Sequence, residues 1–361
     1  MASRFGFRVP DSKVRCSLAR ICCLILPPAL IGVVGCGRGG GPANAPPREV
    51  VVYTALDSAF SKPILEEFSR RTGIRVSPKF DVESTKTVGL ANMIRAEKDR
   101  PRCDVFWNNE ILNTLMLKTE GLLEPCDPPE AANYPEEWKD REKYWYGFAA
   151  RARVLIVNTE LVPAGVRPSS IRDLADPAFR GRTGIAKPLF GTTASHVACL
   201  FAAWGPEKAT SYLDALKAND IQIHGGNKGC AEAVANGTCA FALTDTDDAI
   251  IEVEAGRPVR IVYPDQLGDG PGTLFLPNTV SVVKGAPHPR EAFELVNYLL
   301  SAEVEKRLAQ GPSAQIPLNR TVGPVARVRG PSQIRAMRVD FQAAAAAFDA
   351  ARRVVETRFL Q

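Results

Sequence analysis

Glu49-Val50-Val51-Val52-Tyr53-Thr54 is a run of β-forming residues, and the stretch from Ser58 to Arg71 behind it carries Ile64, Leu65 and Phe68 on one helical face. Gly73 stops that helix, and Ile74 to Phe80 reads as the next strand. The rhythm continues outward. Ser84 opens a helix through Met93 and Ile94 to Lys98, Cys103 to Trp107 is a third strand, and Ile111 to Glu120 is helical. Strand and helix alternating in this way predict an α/β fold with a mostly parallel sheet flanked by helices. Ligands of such sheets sit beyond the carboxyl ends of the strands, here Tyr53-Thr54-Ala55, Asp81-Val82-Glu83 and Asn108-Asn109-Glu110.

From Arg151 the pattern restarts. Arg153 to Val157 and Arg182 to Ala186 read as strands, and a Gly-containing turn from Pro188 to Thr193 opens a helix from Ala194 to Trp204. Pro206 to Ala218 is a further helix with Pro in its first turn. Cys230 to Asn236 is helical and ends at Asn236-Gly237; the strand Thr238 to Leu243 then leads into Thr244-Asp245-Thr246-Asp247-Asp248. Leu276 to Val283 is β-rich, Arg290 to Leu300 is helical, and an Ala-rich helix runs from about Ser332 to Phe359.

The chain has 361 residues, enough for a bilobal body, and 45% apolar with 24% charged residues excludes global disorder. The net charge of +5 is concentrated at the N-terminus. Residues 1–35 hold five basic side chains against Asp11, which leaves 40 basic against 39 acidic in the remainder. A broad basic face for nucleic acid is therefore not expected.

Residues 1–35 read as an address. A basic segment ending at Arg20 leads into an apolar run to Gly35, too short and too interrupted by Pro27-Pro28 to span a bilayer. Val33-Val34-Gly35-Cys36 resembles a bacterial lipobox, whose Cys becomes the lipidated N-terminus; a plain secretory signal is the alternative. The Gly- and Pro-rich segment after Cys36 reads as a tether, at 36–48. A lipid-anchored, extracytoplasmic monomer is the expectation. Cys103, Cys126, Cys199, Cys230 and Cys239 remain in the mature chain. In an oxidising compartment they allow one or two bridges, with Cys230 and Cys239 one pair to consider, or serve as small buried apolar residues. No Cys/His spacing marks a zinc site, and no cofactor is expected.

The Val-Tyr-Thr turn, Arg71-Thr72-Gly73-Ile74, Asp104-Val105-Phe106-Trp107, Gly121-Leu122-Leu123-Glu124-Pro125, Arg151-Ala152-Arg153-Val154, Ala233-Val234-Ala235-Asn236-Gly237 and Ile316-Pro317-Leu318-Asn319 occur in that order between Val50 and Asn319. Together they resemble the ferric-ion-binding subgroup of periplasmic substrate-binding proteins. The resemblance implies a two-lobed class II binding-protein fold in which the chain crosses between lobes twice, the cleft holds the ligand, and the partner is the permease of an ABC importer. It sets one lobe at 49–150 plus 277–325 and the other at 151–276 plus 326–361. It also departs from the family where ligands are held. The paired tyrosines of the family fall on Asp247 and Asp248, its His falls near Leu56-Asp57, and its Glu falls on Asn109 with Glu110 one residue later.

The residues themselves point to a cationic cargo. Asp245, Asp247 and Asp248 gather at one strand end, with Glu110 expected opposite, and carboxylates suit a hard metal ion or an ammonium group. The competing reading is helix capping, by Asp245 or Thr246, with the acids stabilised by the helix dipole. Three such acids repel, so a raised pKa is expected unless a basic partner lies among them. Gly191-Thr192-Thr193 opens a helix and offers N–H groups and hydroxyls to an anion, and in the resembling family this turn holds a synergistic anion beside the metal. Asn227 lies at a second matching turn, and Tyr53, Thr54, Trp107, Asn108 and Tyr146 add contact surface at strand ends. An organic cation such as a polyamine is the alternative cargo, and a sensor lobe or a hydrolase is the alternative class. Ser195 and His196, adjacent on a helix, point about 100° apart, which is poor geometry for proton transfer.

Overall fold

The strand-helix rhythm is realised as two halves that meet on one long strand. The first half contains β1 (Glu49–Thr54), α1 (Ser58–Thr72), β2 (Arg75–Phe80), α2 (Val88–Ala96), β3 (Val105–Asn108), α3 (Leu112–Thr119) and β4 (Leu123–Glu124). After β5 (Tyr146–Asn158), the second half contains β6 (Thr183–Ala186), α4 (Gly191–Trp204), α5 (Pro206–Ala218) and β7 (Gln222–His224). It continues with α6 (Asn227–Ala235), β8 (Phe241–Asp245), α7 (Thr246–Glu254) and β9 (Val259–Val262). The chain returns along β10 (Phe275–Val283) to α8 (Pro289–Leu299) and α9 (Ala302–Gln310), and α10 (Phe341–Val354) lies near the C-terminus. This computed structural model describes residues 48–81, 87–163, 165–323 and 327–360. The segments read from sequence as signal and tether, with Cys36, and residues Val82, Glu83 and Ser84 lie outside the described residues.

Sheet order is β2-β1-β3-β10-β5-β8-β6-β7, with β4 on β10 and β9 on β5. The pairs β1–β2, β1–β3, β6–β7 and β6–β8 are parallel, as the alternation predicts. The strands that cross between halves are antiparallel to their neighbours. β5 changes partner along its length: Tyr146 to Ala152 pair with β10, and Arg153 to Val157 pair with β8. All thirteen of its residues are buried. Ala149 has φ of +44°, and the β5–β10 register shifts between Leu276 and Asn278, so both crossing strands are irregular near the same point.

Local sequence accounts for the flanking helices. α1 buries Ile64, Leu65 and Phe68, and Gly73 with φ of +69° takes the left-handed position that ends it. α8 buries Ala292, Leu295, Val296 and Leu299, the three-four spacing of one helical face. Each large apolar side chain so buried contributes about 1.5–3 kcal/mol from area removed from water. All five described cysteines are free thiols, so the bridges that an oxidising compartment allows are not formed here. Burial raises the Cys230 and Cys239 thiol pKa values, as for small apolar core residues.

Candidate functional site

Arg153 on β5 and Asp245 on β8 are register partners in adjacent strands, so their side chains rise from the same face of the sheet. Arg153 has no exposed surface, and its Nη1 donates to Asp245 Oδ1 at 2.7 Å. The same nitrogen donates to Thr192 Oγ1 at 3.1 Å and Asn227 Oδ1 at 2.9 Å, and Nη2 donates to Thr193 Oγ1 at 3.0 Å. Asp245 Oδ2 accepts from Thr192 Oγ1 at 2.6 Å and from Asn227 Nδ2 at 2.9 Å. One ion pair thus joins the middle of β5 and the end of β8 to the first turns of α4 and α6.

Two residues earlier on the same face stands Arg151. Its Nη1 donates to Asp247 Oδ2 at 3.2 Å and its Nη2 donates to the carbonyl oxygen of Asn109, so it ties the start of α7 to the turn after β3. Burial works against the Arg151 charge, yet Asp247, Asp245, Asp248 and Asp57 together hold its pKa above the ordinary guanidinium value. Burial alone would likewise raise Asp245, but the charges of Arg153 and Arg151 and the Thr192 hydroxyl outweigh it and hold this carboxyl below its usual value. The basic partner that relieves the expected repulsion is therefore part of the protein.

These groups line a cavity of about 420 Å³. Asp57 and Asn109 enter it from the turns after β1 and β3, and Lys187, Gly191, Thr192 and Thr193 from the segment after β6. Asn227 comes from α6, and Asp245, Asp247 and Asp248 from the junction of β8 and α7. Carboxylate oxygens of the three acids lie within 4.8 Å of one another. Two buried polar atoms of the lining, Arg151 Nε and Asn109 Oδ1, have no hydrogen-bond partner among the described residues.

The capping reading of Asp245 does not hold. Asp245 is the residue before α7, but its side chain makes no cap hydrogen bond there and turns to Arg153 instead. Thr246 Oγ1 accepts from the backbone of Ala152 on β5 at 3.2 Å. Asp247 and Asp248 do sit in the first turn of α7, where the dipole favours them.

Six expected residues are elsewhere. Tyr53 is buried against α2 and its hydroxyl donates to Glu97 at 2.9 Å. Thr54 is fully buried, with Oγ1 accepting from Leu56 N at 3.3 Å. Trp107 is a core residue, its ring 5.6 Å from that of Phe148. Tyr146, in the same core, donates its hydroxyl to the Cys126 carbonyl oxygen. Asn108 donates to Glu110 Oε1 at 2.8 Å. Glu110 is fully buried and reaches forward to α3, accepting from Leu112 N at 2.6 Å and Asn113 N at 3.0 Å, and also from Ser195 Oγ at 2.8 Å. It satisfies the free amides at a helix start and does not face the cavity. Ser195 is thereby committed to Glu110. His196 is pushed down to about 3 by burial and then by the Arg153 charge, against the pull of Asp245.

Sequence reasoning missed Arg151, Arg153 and Asp57 as site residues. Two arginines two apart in an otherwise apolar strand were the available signal for the first two.

Comparison with known proteins fits this architecture. Residues 113–344 match the family described as bacterial extracellular solute-binding protein, and the chain belongs to that family. It is 26% identical over 297 residues to the major ferric iron-binding protein of Neisseria meningitidis serogroup A, covering 78% of this chain and 86% of that protein. It is 26% identical over 293 residues to iron uptake protein A1 of Synechocystis sp., covering 76% and 79%. The structure of iron-bound HitA from Pseudomonas aeruginosa superposes with a TM-score of 0.77 at 27% identity, covering 86% of this chain and 99% of that one. The fold is that of the two-lobed periplasmic binding proteins. Among the described residues no helix is long and apolar enough to cross a membrane.

Proposed function

We propose that this protein is the extracytoplasmic receptor of an ABC importer, anchored by lipid at Cys36, and that its cargo is a hard metal cation, ferric iron first. The observation that carries the reading is the pair of acids at the start of α7. Asp247 and Asp248 line the cavity within 4.8 Å of one another and of Asp245. Hard oxygen donors at that spacing suit a small, highly charged ion. The names of the Neisseria and Synechocystis relatives agree with an iron cargo. An organic cation would want an aromatic face to stack on. Trp107 and Tyr53 are in the core, and Phe190 is the aromatic residue of the cavity lining.

A thermal-shift comparison of the apoprotein with ferric ion, divalent metals and polyamines tests the cargo. Ferric ion at about a hundred times its Kd should stabilise by roughly 2.7 kcal/mol. Stabilisation by polyamines alone would overturn the metal reading. The anchor has its own test: Cys36→Ala should move the protein from the membrane to the soluble fraction, and unchanged membrane association would refute lipidation at that site.

A further inference from the structure

Asp247 already has a cation beside it. Arg151 Nη1 holds its Oδ2 at 3.2 Å, while Nη2 donates to the carbonyl oxygen of Asn109. Of the three bases that line the cavity, Lys187 and Lys228 are exposed and Arg151 is buried. A metal ion sits roughly 2.0–2.6 Å from a carboxylate oxygen, so an ion on Asp247 and the guanidinium compete for one carboxylate. Two unpaired atoms mark where the guanidinium can turn. Arg151 Nε donates to nothing and Asn109 Oδ1 accepts from nothing among the described residues, and both side chains are buried. A buried donor and a buried acceptor left unpaired are each unfavourable, and these two belong to residues already joined by a hydrogen bond. The guanidinium carries five N–H donors in a fork, so it can leave Asp247 for the Asn109 side chain without releasing the Asn109 carbonyl.

We propose that Arg151 is the cation that holds the empty site, and that the cargo ion takes Asp247 from it and drives it onto Asn109. This rests on the cation reading above. Arg151 then sets affinity without touching the cargo, because apparent affinity is reduced by the fraction of empty molecules in which Asp247 is open. It also sets selectivity. A monovalent ammonium offers Asp247 no more charge than the guanidinium it replaces, so the exchange favours an ion of higher charge. Displacement further releases a tie across the cleft. In the empty protein Arg151 links the start of α7 to the turn after β3, two residues along β5 from the left-handed backbone of Ala149.

The test is calorimetric titration of ferric ion into the wild type, Arg151→Gln, Arg151→Lys and Asn109→Ala, with a melting curve of each empty protein. Arg151→Gln removes the resident charge and should bind ferric ion about tenfold or more tightly. Arg151→Lys keeps the charge and should show no such gain. Asn109→Ala deletes an acceptor that is unpaired in the empty protein, so its melting should be unmoved while its ferric affinity falls about threefold or more. A folded Arg151→Gln that binds no more tightly than the wild type overturns the proposal, and so does an equal gain in Arg151→Lys. Unchanged ferric affinity in Asn109→Ala refutes the move onto Asn109, and this variant decides if Arg151→Gln does not fold. Ferric ion that binds none of the four proteins would refute the cargo reading itself, whereas binding to the wild type without a gain in Arg151→Gln refutes the displacement alone.

Discussion

Arg153 carries a full charge with no exposed surface, a position that is tolerable only because Asp245, Thr192, Thr193 and Asn227 all receive it. Removing one partner of such a buried pair costs about 3–5 kcal/mol, because the other charge is left without compensation. His196, one turn along α4 from Thr192, bears the consequence. Its pKa falls from 6.5 to about 3, first by burial and then by the Arg153 charge. A base whose folded pKa is depressed stabilises the fold while neutral, fully above its unfolded value. That stability is lost as pH falls from 6.5 toward 3. The loss should be about 1.4 kcal/mol per pH unit, read from urea unfolding over that range, and His196→Leu should flatten the slope by about one proton. Equal slopes in the two proteins would contradict the burial of an uncharged imidazole. None of this was legible locally. The acids at the end of β8 stand out in the sequence, but their arginine partners lie 92 and 96 residues away, and only strand register brings them together.

Elements were easier to read where a stop or a face marked them. Gly73 ends α1, Asn236-Gly237 follows α6, and the apolar spacing of α8 gives its inward face. β5 was half missed. Arg153 to Val157 is a β-branched run, whereas Tyr146 to Ala152 is rich in Gly and Ala and buried on both faces, so it has no alternation to find. That overlooked half is where β5 crosses between the two halves. Ala149 N donates to the buried Glu305 at 2.7 Å, Ala150 and Ile316 exchange two backbone bonds of 2.8 Å, and Pro277 occupies the irregularity of β10. Irregular backbone held at its ends by hydrogen bonds is suited to absorb a change in torsion. We expect the lobes to close about Ala150 and Pro277 when cargo binds. Small-angle scattering should then give a smaller radius of gyration for the ferric-saturated protein, and identical curves at saturation would count against a hinge at these strands.

At the scale of the molecule, the cavity follows from topology. Its wall is assembled beyond the carboxyl ends of parallel strands: Asp57 after β1, Asn109 after β3, Lys187 and Gly191 after β6, and Asp247 with Asp248 after β8. Strand-helix alternation predicts such a crevice, which is why Asn109 and the three acids were legible at strand ends, Thr192 and Thr193 at a helix start, and Asn227 through the family resemblance. Tyr53, Thr54, Trp107 and Asn108 were not separable from them in sequence. They are the last residues of their strands, still inside the sheet, and the site begins with the turns beyond.

The central claim is that Asp247 and Asp248 hold the cargo cation. Calorimetric titration of ferric ion into the wild type and into the double variant Asp247→Asn with Asp248→Asn tests it most directly, with melting curves to confirm that both are folded. The account predicts a loss of at least about a hundredfold in affinity, roughly 2.7 kcal/mol. Unchanged affinity in a folded double variant would contradict it and leave Asp247 as the ion-pair partner of Arg151 and both acids as partners of the α7 dipole.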